Sequence, residues 1–272
     1  MQYKMPKILC VIVLYNCLLK DSKTYRTFNP KSKDLLVFDN SEQTQDISIY
    51  ASAATYVHNE KNIGLSACYN RAAEFAQSYG YDWLLLVDQD TDFSDVSVND
   101  YVKAINENRD CQLFAPMVKC GKYTMSPTNM TFHFAHLSNK NFQGLVKLQK
   151  LSIINSGLCV SVDAFCKCGG YNEKVFLDYS DHEFLRRFKR NYYKAFILPK
   201  NLQQDFSVHT DSKEKSFARF RLFCKSIRGC KRDRVWDDLC YSFVVIKRAC
   251  SLALSFRSFS PFFIVLKTYY ND

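Results

Sequence analysis

Long apolar runs are what this sequence most plainly lacks. No stretch of its 272 residues reaches the roughly 18 to 20 uninterrupted apolar residues that a helix needs to span a bilayer. Lys4 and Lys7 precede a short apolar stretch from Ile8 to Tyr15, but no small-residue cleavage site follows, so a signal peptide is not expected. The sequence therefore predicts a cytoplasmic protein that does not cross a membrane.

The cysteines lack the spacing of a metal site. Cys166 and Cys168 form a C-x-C pair, and no second pair lies at zinc spacing from it. The twelve cysteines are scattered along a chain too long to need disulfide staples, so we expect reduced thiols that pack as small hydrophobic side chains. No internal repeat or low-complexity segment is present, and the cysteines imply no cofactor.

What the chain does contain is the pattern of an α/β protein. Apolar residues make up 47% of it, enough to fill one large domain with an appendage or two small domains. Apolar runs stop at Asn16, Asp39 and Asp88, as in strands that are buried on both faces of a parallel sheet. Because helical stretches alternate with these strands, βαβ units are indicated, and such sheets bind ligands at the carboxyl ends of their strands.

The remaining pattern extends this fold to about residue 212. Strands are expected at 7–16, 34–41, 56–57, 81–88, 111–118, 158–162 and 195–198, and helices at 65–79, 98–108 and 181–191. Residues 119–151 show no clear pattern and are a candidate for antiparallel strands over the site. Beyond residue 212 the composition becomes basic and aromatic, with helical patches at 216–227 and 236–254. The predicted division is a core domain at 1–212 and a helical tail at 213–272.

An acidic loop follows the strongest strand signal. Asp88-Gln89-Asp90 offers two carboxylates, one residue apart, that could hold a hard divalent cation against a diphosphate. Acidic turns after strands are also common without any metal. The D-x-D pattern alone therefore leaves both interpretations open.

Two further acids give the loop a context. Asp39 ends another strand, where it could accept hydrogen bonds from a base or ribose, or could close an Asx turn with Ser41. Asp181 lies at a helix start, where it could act as a general base or as a helix cap. Helix capping explains one or two of the acids Asp178, Asp181 and Glu183, but it does not require all three.

At this point the motifs, taken together, resemble a known family. The sequence is similar to family 2 inverting glycosyltransferases of the GT-A fold, in particular the rhamnosyltransferase-like branch of bacterial surface-polysaccharide synthesis. The matching motifs cover residues 7 to about 210 and are Val13-Leu-Tyr-Asn16, Val37-Phe-Asp-Asn-Ser41, Asn59-x-x-Asn62-Ile-Gly64-Leu-Ser-x-x-x-Asn70-Arg-Ala, Leu84-Leu-Leu-Val-Asp-Gln-Asp-Thr91, Ile154-Asn-Ser-Gly157 and Gly169-Gly-Tyr-x-Glu-x-x-Phe-Leu-Asp-Tyr-x-Asp181-x-Glu.

The resemblance implies a GT-A type, Rossmann-like, mostly parallel sheet flanked by helices, with a basic helical C-terminal extension. It implies Asp181 as the catalytic base and Asp178 and Glu183 as shapers of the acceptor site. Mg²⁺ or Mn²⁺ would bind at Asp88, Asp90 and His209, although a surface histidine is an equal interpretation of His209. The implied donor-binding residues are Tyr15, Asn16, Asp39, Asn62, Gly64, Asp88 and Asn155.

The resemblance also implies a reaction. An acceptor hydroxyl, deprotonated by Asp181, attacks the anomeric carbon of a nucleotide-diphosphate sugar in a single inverting displacement, with no covalent intermediate. The expected donor is dTDP-rhamnose or a UDP-hexose, and the expected acceptor is a glycan or a lipid-linked oligosaccharide. His182 departs from the pattern, because the family usually has an apolar or small residue there.

Other functions are weighed against this one. A sugar-phosphate nucleotidyltransferase would carry a Gly-rich basic loop after its first strand, and here that loop is Tyr15-Asn16-Cys17-Leu18. A non-catalytic nucleotide-sugar-binding protein, or a basic scaffold that merely keeps the fold, would tolerate loss of an acid. This chain retains both the D-x-D loop and Asp181, which favours an enzyme.

The tail carries most of the net charge. Residues 213–272 contain 13 basic and 5 acidic residues, a net of +8 against +10 for the whole chain. Aromatic side chains between Phe217 and Phe223 alternate with arginines, which suits the surface of an anionic membrane, and we expect a peripheral protein at the inner face of the cytoplasmic membrane. A helix packed on the core with a solvated face is the alternative. No nucleic-acid motif accompanies the charge, so no nucleic-acid partner is expected.

Overall fold

The computed structural model describes residues 5–28, 34–47, 55–204 and 212–271. Within these ranges eleven strands form one sheet. The strands are β1 Ile8–Leu14, β2 Leu35–Asp39, β3 Thr55–His58, β4 Trp83–Asp88, β5 Leu113–Cys120, β6 Tyr123–Thr131, β7 Phe134–Ser138, β8 Gly144–Lys147, β9 Leu151–Ser152, β10 Leu158–Ser161 and β11 Lys194–Gln203.

The sheet is mostly parallel at its centre. Its main order is β3-β2-β1-β4-β10-β5-β11-β8, in which β1, β2, β3 and β4 run parallel and β10 lies antiparallel between β4 and β5. The register pairs Leu14 with Asp39 and Val13 with Asp88, so the carboxyl ends of β1, β2 and β4 lie side by side. This confirms the predicted fold class.

Helices cover both faces of the sheet. They are α1 Lys23–Thr27, α2 Leu65–Ser78, α3 Val98–Glu107, α4 Val162–Lys167 and α5 Ser180–Phe188. Alternate residues of β1 enter two separate hydrophobic clusters, with Leu9 and Val11 facing α2, α4 and α5, and Cys10 and Ile12 facing α3. This alternation is why β1 is apolar at every position.

Two stretches differ from the sequence-based expectation in detail. The strand expected to stop before Pro199 continues to Gln203, because its register shifts between Ile197 and Asn201 and the proline, which has no N–H to donate, lies within that irregularity. Residues 119–151 form the antiparallel strands β6 to β9, which the sequence offered only as a candidate.

The tail is helical. It consists of α6 Lys213–Gly229, α7 Asp237–Phe256 and α8 Ser260–Ile264, followed by a π-helical segment at Val265–Tyr270. These helices share a hydrophobic cluster of their own, which also includes Val175. Ion pairs from Arg186 to Asp233 and Asp237 hold the tail against α5.

The sequence-based expectation was that no segment is long and apolar enough to cross a membrane, and α7 departs from it. Within the described residues one helix, Asp237–Phe256, is long and apolar enough to do so, and 22% of its most apolar window is buried. Helices of this length and composition also occur in the cores of soluble proteins. All twelve cysteines lie in the described ranges and are free thiols.

Candidate functional site

Three loops meet at the carboxyl ends of β1, β2 and β4. The backbone N–H of Tyr15 donates to the side-chain oxygen of Gln89 at 2.8 Å. The N–H of Asn16, which has a left-handed φ of 49°, donates to the hydroxyl of Ser41 at 2.9 Å. Each loop is therefore fixed by its neighbour, and the predicted residues Tyr15, Asn16, Asp39 and Asp88 lie along one edge.

Asp39 is wholly buried at this edge. One carboxylate oxygen accepts from the Ser41 N–H at 3.0 Å, and the other accepts from Gln45 at 2.6 Å and from the Tyr56 hydroxyl at 2.7 Å. Burial alone would raise the pKa of Asp39, but these hydrogen bonds outweigh it and hold the pKa below its ordinary value. Asp39 is thus an ionised Asx-turn residue, which is the alternative that the sequence left open.

A cavity of about 330 Å³ opens beside Asp39. Its lining comes from the loops after β1 and β2 and includes Asn16, Ser41 and Gln45. Gln45 connects the cavity to Asp39, because its side-chain amide bonds the carboxylate. The volume lies at the small end of the range of ligand sites, roughly 300 to 1,000 Å³.

The loop before α2 is closely packed. The Asn62 side chain accepts from the Gly64 N–H at 2.9 Å, and Gly64 has a φ of 83°. A Cβ at Gly64 would lie 2.6 Å from the ring of Phe176, closer than any real contact. Only glycine satisfies both the backbone conformation and this approach. The predicted residues Asn62 and Gly64 therefore form one turn at the start of α2.

The acidic loop after β4 is held by the first residues of α1 and the N-cap residue before them. The Ser22 hydroxyl donates to the carbonyl oxygen of Gln89 at 2.8 Å. The Thr24 hydroxyl contacts the carbonyl oxygens of Asp88 and Thr91, the second at 2.9 Å. These contacts are made to backbone carbonyl groups of the loop and do not involve its carboxylates. The backbone of the loop is therefore preorganised.

Three carboxylates interact electrostatically at the end of β4. Burial, and to a lesser extent the charges of Asp90 and Asp181, raise the pKa of Asp88 to about 7, although a hydrogen bond from Ser156 opposes the rise. Asp90 is exposed. Asp90, from the same loop, and Asp181, from α5, are thus close enough to act on Asp88, and the three acids make this edge of the sheet electronegative.

Asp181 is positioned by an unusual helix start. Tyr179 precedes α5 with a left-handed φ of 79°, and its hydroxyl donates to the carbonyl of His133 at 2.5 Å. Asp181 then lies in the first turn of α5 with its side chain 16% exposed. It accepts from the His182 N–H at 2.6 Å, and the His182 ring contacts the Ser152 hydroxyl at 2.8 Å.

Asp178 and Glu183 have structural partners. Asp178 pairs with Arg219 at 3.1 Å and with Arg248 at 3.7 Å, both from the tail. Glu183 is buried and holds the guanidinium of Arg187 with three hydrogen bonds of 2.8 to 3.0 Å. Both carboxylates therefore contribute to the packing of α5, in addition to any part in the acceptor site.

Two other predicted residues remain. Asn155 is buried, and its side-chain oxygen accepts from the Tyr171 hydroxyl at 2.5 Å. His209 lies outside the described residues. Among the residues that the structure describes, no group of three or more His, Cys, Asp or Glu side chains could by itself hold a metal ion.

Sequence reasoning missed several residues that shape this edge, chiefly Ser22, Thr24 and Ser156. Ser156 lies inside the motif Ile154-Asn-Ser-Gly157, from which only Asn155 was selected. No local signal marks Ser22 or Thr24, because their partners lie more than 60 residues away.

Solved GT-A-type glycosyltransferases share this fold. GalNAc-T7 with UDP, GalNAc and Mn²⁺ superposes with a TM-score of 0.59 at 11% identity, over 83% of this chain and 47% of that chain. The mannosyltransferase PcManGT from Pyrobaculum calidifontis, in complex with GDP-Man and Mn²⁺, gives 0.55 at 13% identity over 94% and 76%. S. aureus TarS 1-349 gives 0.53 at 15% identity over 87% and 69%.

These likenesses establish the fold. The chain spans about half the length of GalNAc-T7. No protein-family model matches the sequence, and no curated protein matches it either. What the site does must therefore be argued from its own residues.

Proposed function

We propose that the protein is a glycosyltransferase that moves a sugar from a nucleotide-diphosphate donor to a hydroxyl group of an acceptor. The observation that carries the proposal is the convergence of Asp88, Asp90 and Asp181 at the carboxyl end of β4. Two proteins of the same fold, at low identity, were solved with UDP or GDP-Man and with Mn²⁺. A nucleotide diphosphate with a divalent cation is a ligand that acidic side chains at the carboxyl end of a strand could bind in this fold.

The donor nucleotide is assigned to the cavity beside Asp39. Asn16 and Gln45 line that cavity, and the Gln45 side-chain oxygen, which accepts from the Leu19 N–H at 2.7 Å, has a second lone pair for a donor group of a base. Asp39 would act mainly by orienting Gln45, because its own oxygens already accept three hydrogen bonds. Asn62 and Gly64 are assigned to the neighbouring wall of the donor site. Tyr15 and Asn155 are also assigned to donor binding.

A divalent cation, Mg²⁺ or Mn²⁺, fits the acidic loop. Magnesium is commonly held by one or two carboxylates together with phosphate oxygens and water, so the pair Asp88 and Asp90 is sufficient if the donor supplies the rest. The pKa of Asp88, raised first by burial and then by Asp90 and Asp181, supports this fit, since a positive ion would stabilise a buried carboxylate with acidic neighbours. Such an ion would neutralise charge that develops on the departing diphosphate. His209 is the proposed third protein ligand.

Asp181 is proposed as the general base. Its carboxylate is partly exposed, and it is held at the start of α5 by the Tyr179 turn and its bond to the His182 N–H. In that position it would take the proton of the acceptor hydroxyl as the hydroxyl attacks the anomeric carbon. A base placed opposite the leaving group gives a single displacement with inversion. Asp178 and Glu183 would hold α5, and thereby Asp181, in place.

The finer assignment follows the sequence resemblance. We propose a family 2 enzyme of the rhamnosyltransferase-like branch, with dTDP-rhamnose or a UDP-hexose as donor. The acceptor would be a glycan or a lipid-linked oligosaccharide in cell-surface polysaccharide synthesis.

A donor panel tests the proposal. The full chain is mixed with UDP-, GDP- and dTDP-sugars with Mn²⁺, Mg²⁺ or EDTA, and thermal stabilisation and nucleoside diphosphate release are measured. We expect stabilisation and slow release with at least one donor, only when metal is present. A chain that binds none of these nucleotides under any metal condition would rule the proposal out.

A further inference from the structure

The tail exposes a row of apolar side chains along α7. Leu239, Phe243, Ile246 and Leu254 are 61%, 59%, 40% and 81% exposed. Their spacing of four, three and eight residues places them on one face of a helix. The opposite face, with Tyr241, is packed inside the tail's hydrophobic cluster. α7 is therefore apolar on both faces, whereas a surface helix of a soluble protein is normally polar on one of them.

A second row follows on the last helical segment. Phe259, Phe263, Leu266 and Tyr270 are 78%, 69%, 54% and 51% exposed, and their spacing of four, three and four residues again gives one helical face. We call the two rows together the apolar stripes. Large apolar side chains that are exposed in rows, and not scattered singly, indicate an interaction site.

The surface differs from the one that the sequence suggested. The aromatic side chains of α6, which alternate with arginines in the sequence, are buried: Phe217, Phe220 and Phe223 all lie in the tail cluster. Among the large apolar side chains of α6, Leu222 is exposed, at 40%, so α6 presents mainly charge to solvent. The exposed apolar area lies on α7 and beyond.

A basic groove borders the apolar stripes. A cavity of about 970 Å³ is lined by Lys174, Arg228 and Lys231, and no acid lies in ion-pair distance of these three within the described chain. Two other cations in the lining are engaged, Arg187 with Glu183 and Arg232 with Asp238.

The groove and the stripes adjoin. Asp238 and Ser242 line the groove and precede the stripe residues Leu239 and Phe243 by one position, so groove and stripe lie about 100° apart around α7. Tyr270 belongs to both. Unpaired positive charge thus lies beside exposed apolar surface.

We propose that α7 and the segment 259–270 lie in the headgroup region of an anionic lipid bilayer, with the apolar stripes turned into the lipid and the groove cations against lipid phosphates. Amphipathic surfaces with basic flanks bind membranes in this way. Trp236, 69% exposed, lies three residues before the first stripe and Tyr270 ends the second, and both residue types favour the membrane interface.

Two observations favour this occupant over others. The tail has 13 basic and 5 acidic residues, so its net charge of +8 opposes pairing with a second copy and attracts anionic lipid. Tyr241, Val245 and Ala249 anchor the inner face of α7 in the tail cluster, so the helix lies along the bilayer without crossing it. The inference does not depend on glycosyl transfer.

Vesicle flotation of the full chain tests the inference, with vesicles of neutral phosphatidylcholine or of phosphatidylcholine with phosphatidylglycerol. The stripe variant is Phe243→Ser with Leu254→Ser. Its matched control is Tyr79→Ser with Tyr193→Ser, which changes residues 65% and 67% exposed elsewhere.

The groove variant is Arg228→Gln with Lys231→Gln, and its control is Lys103→Gln with Lys150→Gln, both exposed. Circular dichroism and light scattering verify folding and oligomeric state.

We expect wild type to float with anionic vesicles and the stripe variant to partition at least about tenfold more weakly. The groove variant should lose about 25-fold on anionic vesicles, from about fivefold for each cation, and little on neutral ones. Both controls should match wild type.

The proposal is overturned if wild type stays in solution with anionic vesicles, if the stripe variant floats like its control, or if the stripe variant only converts a dimer to a monomer. Nucleotide-sugar binding, measured without vesicles, is a separate readout and should be unchanged in every variant.

Discussion

The Ser156 hydroxyl donates a hydrogen bond to the carboxylate of Asp88, joining the turn before β10 to the end of β4 across 68 positions of the sequence. The bond favours the ionised carboxylate, whereas burial and the charges of Asp90 and Asp181 oppose ionisation. The balance leaves Asp88 with a pKa of about 7.

A titration of Asp88 checks this balance. In metal-free protein, the side-chain carboxyl signal of Asp88 should titrate near pH 7 by NMR. Ser156→Ala should raise that midpoint, because the carboxylate loses a donor, and Asp90→Asn should lower it, because a neighbouring negative charge is removed. An Asp88 midpoint near the ordinary aspartate value of about 4 in wild type would show that burial and the neighbouring acids do not act on Asp88 as described.

Replacement of Asp90 should weaken metal-dependent donor binding without lowering the stability of the fold. Asp90 is exposed, so Asp90→Asn should leave the melting temperature within about 2 °C of wild type. Stabilisation by a nucleotide sugar with Mn²⁺ should fall or disappear, since one of two proposed ligands is lost. The matched control is Asp95→Asn, which changes another exposed acid, three residues before α3 begins at Val98. Equal Mn²⁺-dependent stabilisation in both variants would exclude Asp90 as a ligand.

The turn at Gly64 gives a stability prediction with an internal control. Gly64→Ala places a Cβ against Phe176 at a φ of 83°, whereas Gly80→Ala has a φ of 69° and nothing within 4 Å. We expect a loss of about 1 kcal/mol in the free energy of unfolding for Gly80→Ala, and about 3 kcal/mol for Gly64→Ala because overpacking is added. Urea denaturation measures both. Equal losses would mean that Phe176 moves aside freely.

The contact between His133 and the tail should make stability depend on pH. Burial lowers the pKa of His133, although Asp237, which accepts from its ring at 3.0 Å, acts in the opposite direction, and the positive Arg186 and Arg234 add to the lowering. Because the folded pKa is below the unfolded value of about 6.5, the neutral ring stabilises the fold above that pH, and this contribution is lost as the pH falls through the folded pKa.

Melting temperatures from pH 8 to pH 5 measure this effect. Asp88, whose pKa is raised to about 7, stabilises the fold as the pH falls through this range, so the effect of His133 is the difference between the two proteins. The stability of wild type relative to His133→Asn should fall on acidification below about pH 6.5. Asparagine is the suitable replacement because it tolerates the left-handed φ of 66° at this position. Parallel pH profiles for the two proteins would show that His133 does not titrate differently on folding.

Much of the edge that carries the site could be predicted because its signals are local. Each of β1, β2 and β4 is an apolar run that stops at a polar residue, and the carboxyl ends of parallel strands meet at one edge. The partner of Asp88 could not be predicted, since Ser156 reaches it only after β10 inserts antiparallel beside β4. The exposed face of the tail was also misjudged, because alternating basic and aromatic residues do not reveal which face of a helix packs inward.

The most direct measurement of the proposed transfer compares wild type with Asp181→Asn in nucleoside diphosphate release and in donor binding. Asp163→Asn, at an exposed acid in the first turn of α4, is the control. Loss of a general base should slow release in the presence of acceptor by about 10²-fold to 10⁴-fold, while donor affinity with Mn²⁺ stays within about threefold of wild type. If Asp181→Asn keeps most of the wild-type rate, Asp181 is not the base and the proposed mechanism fails.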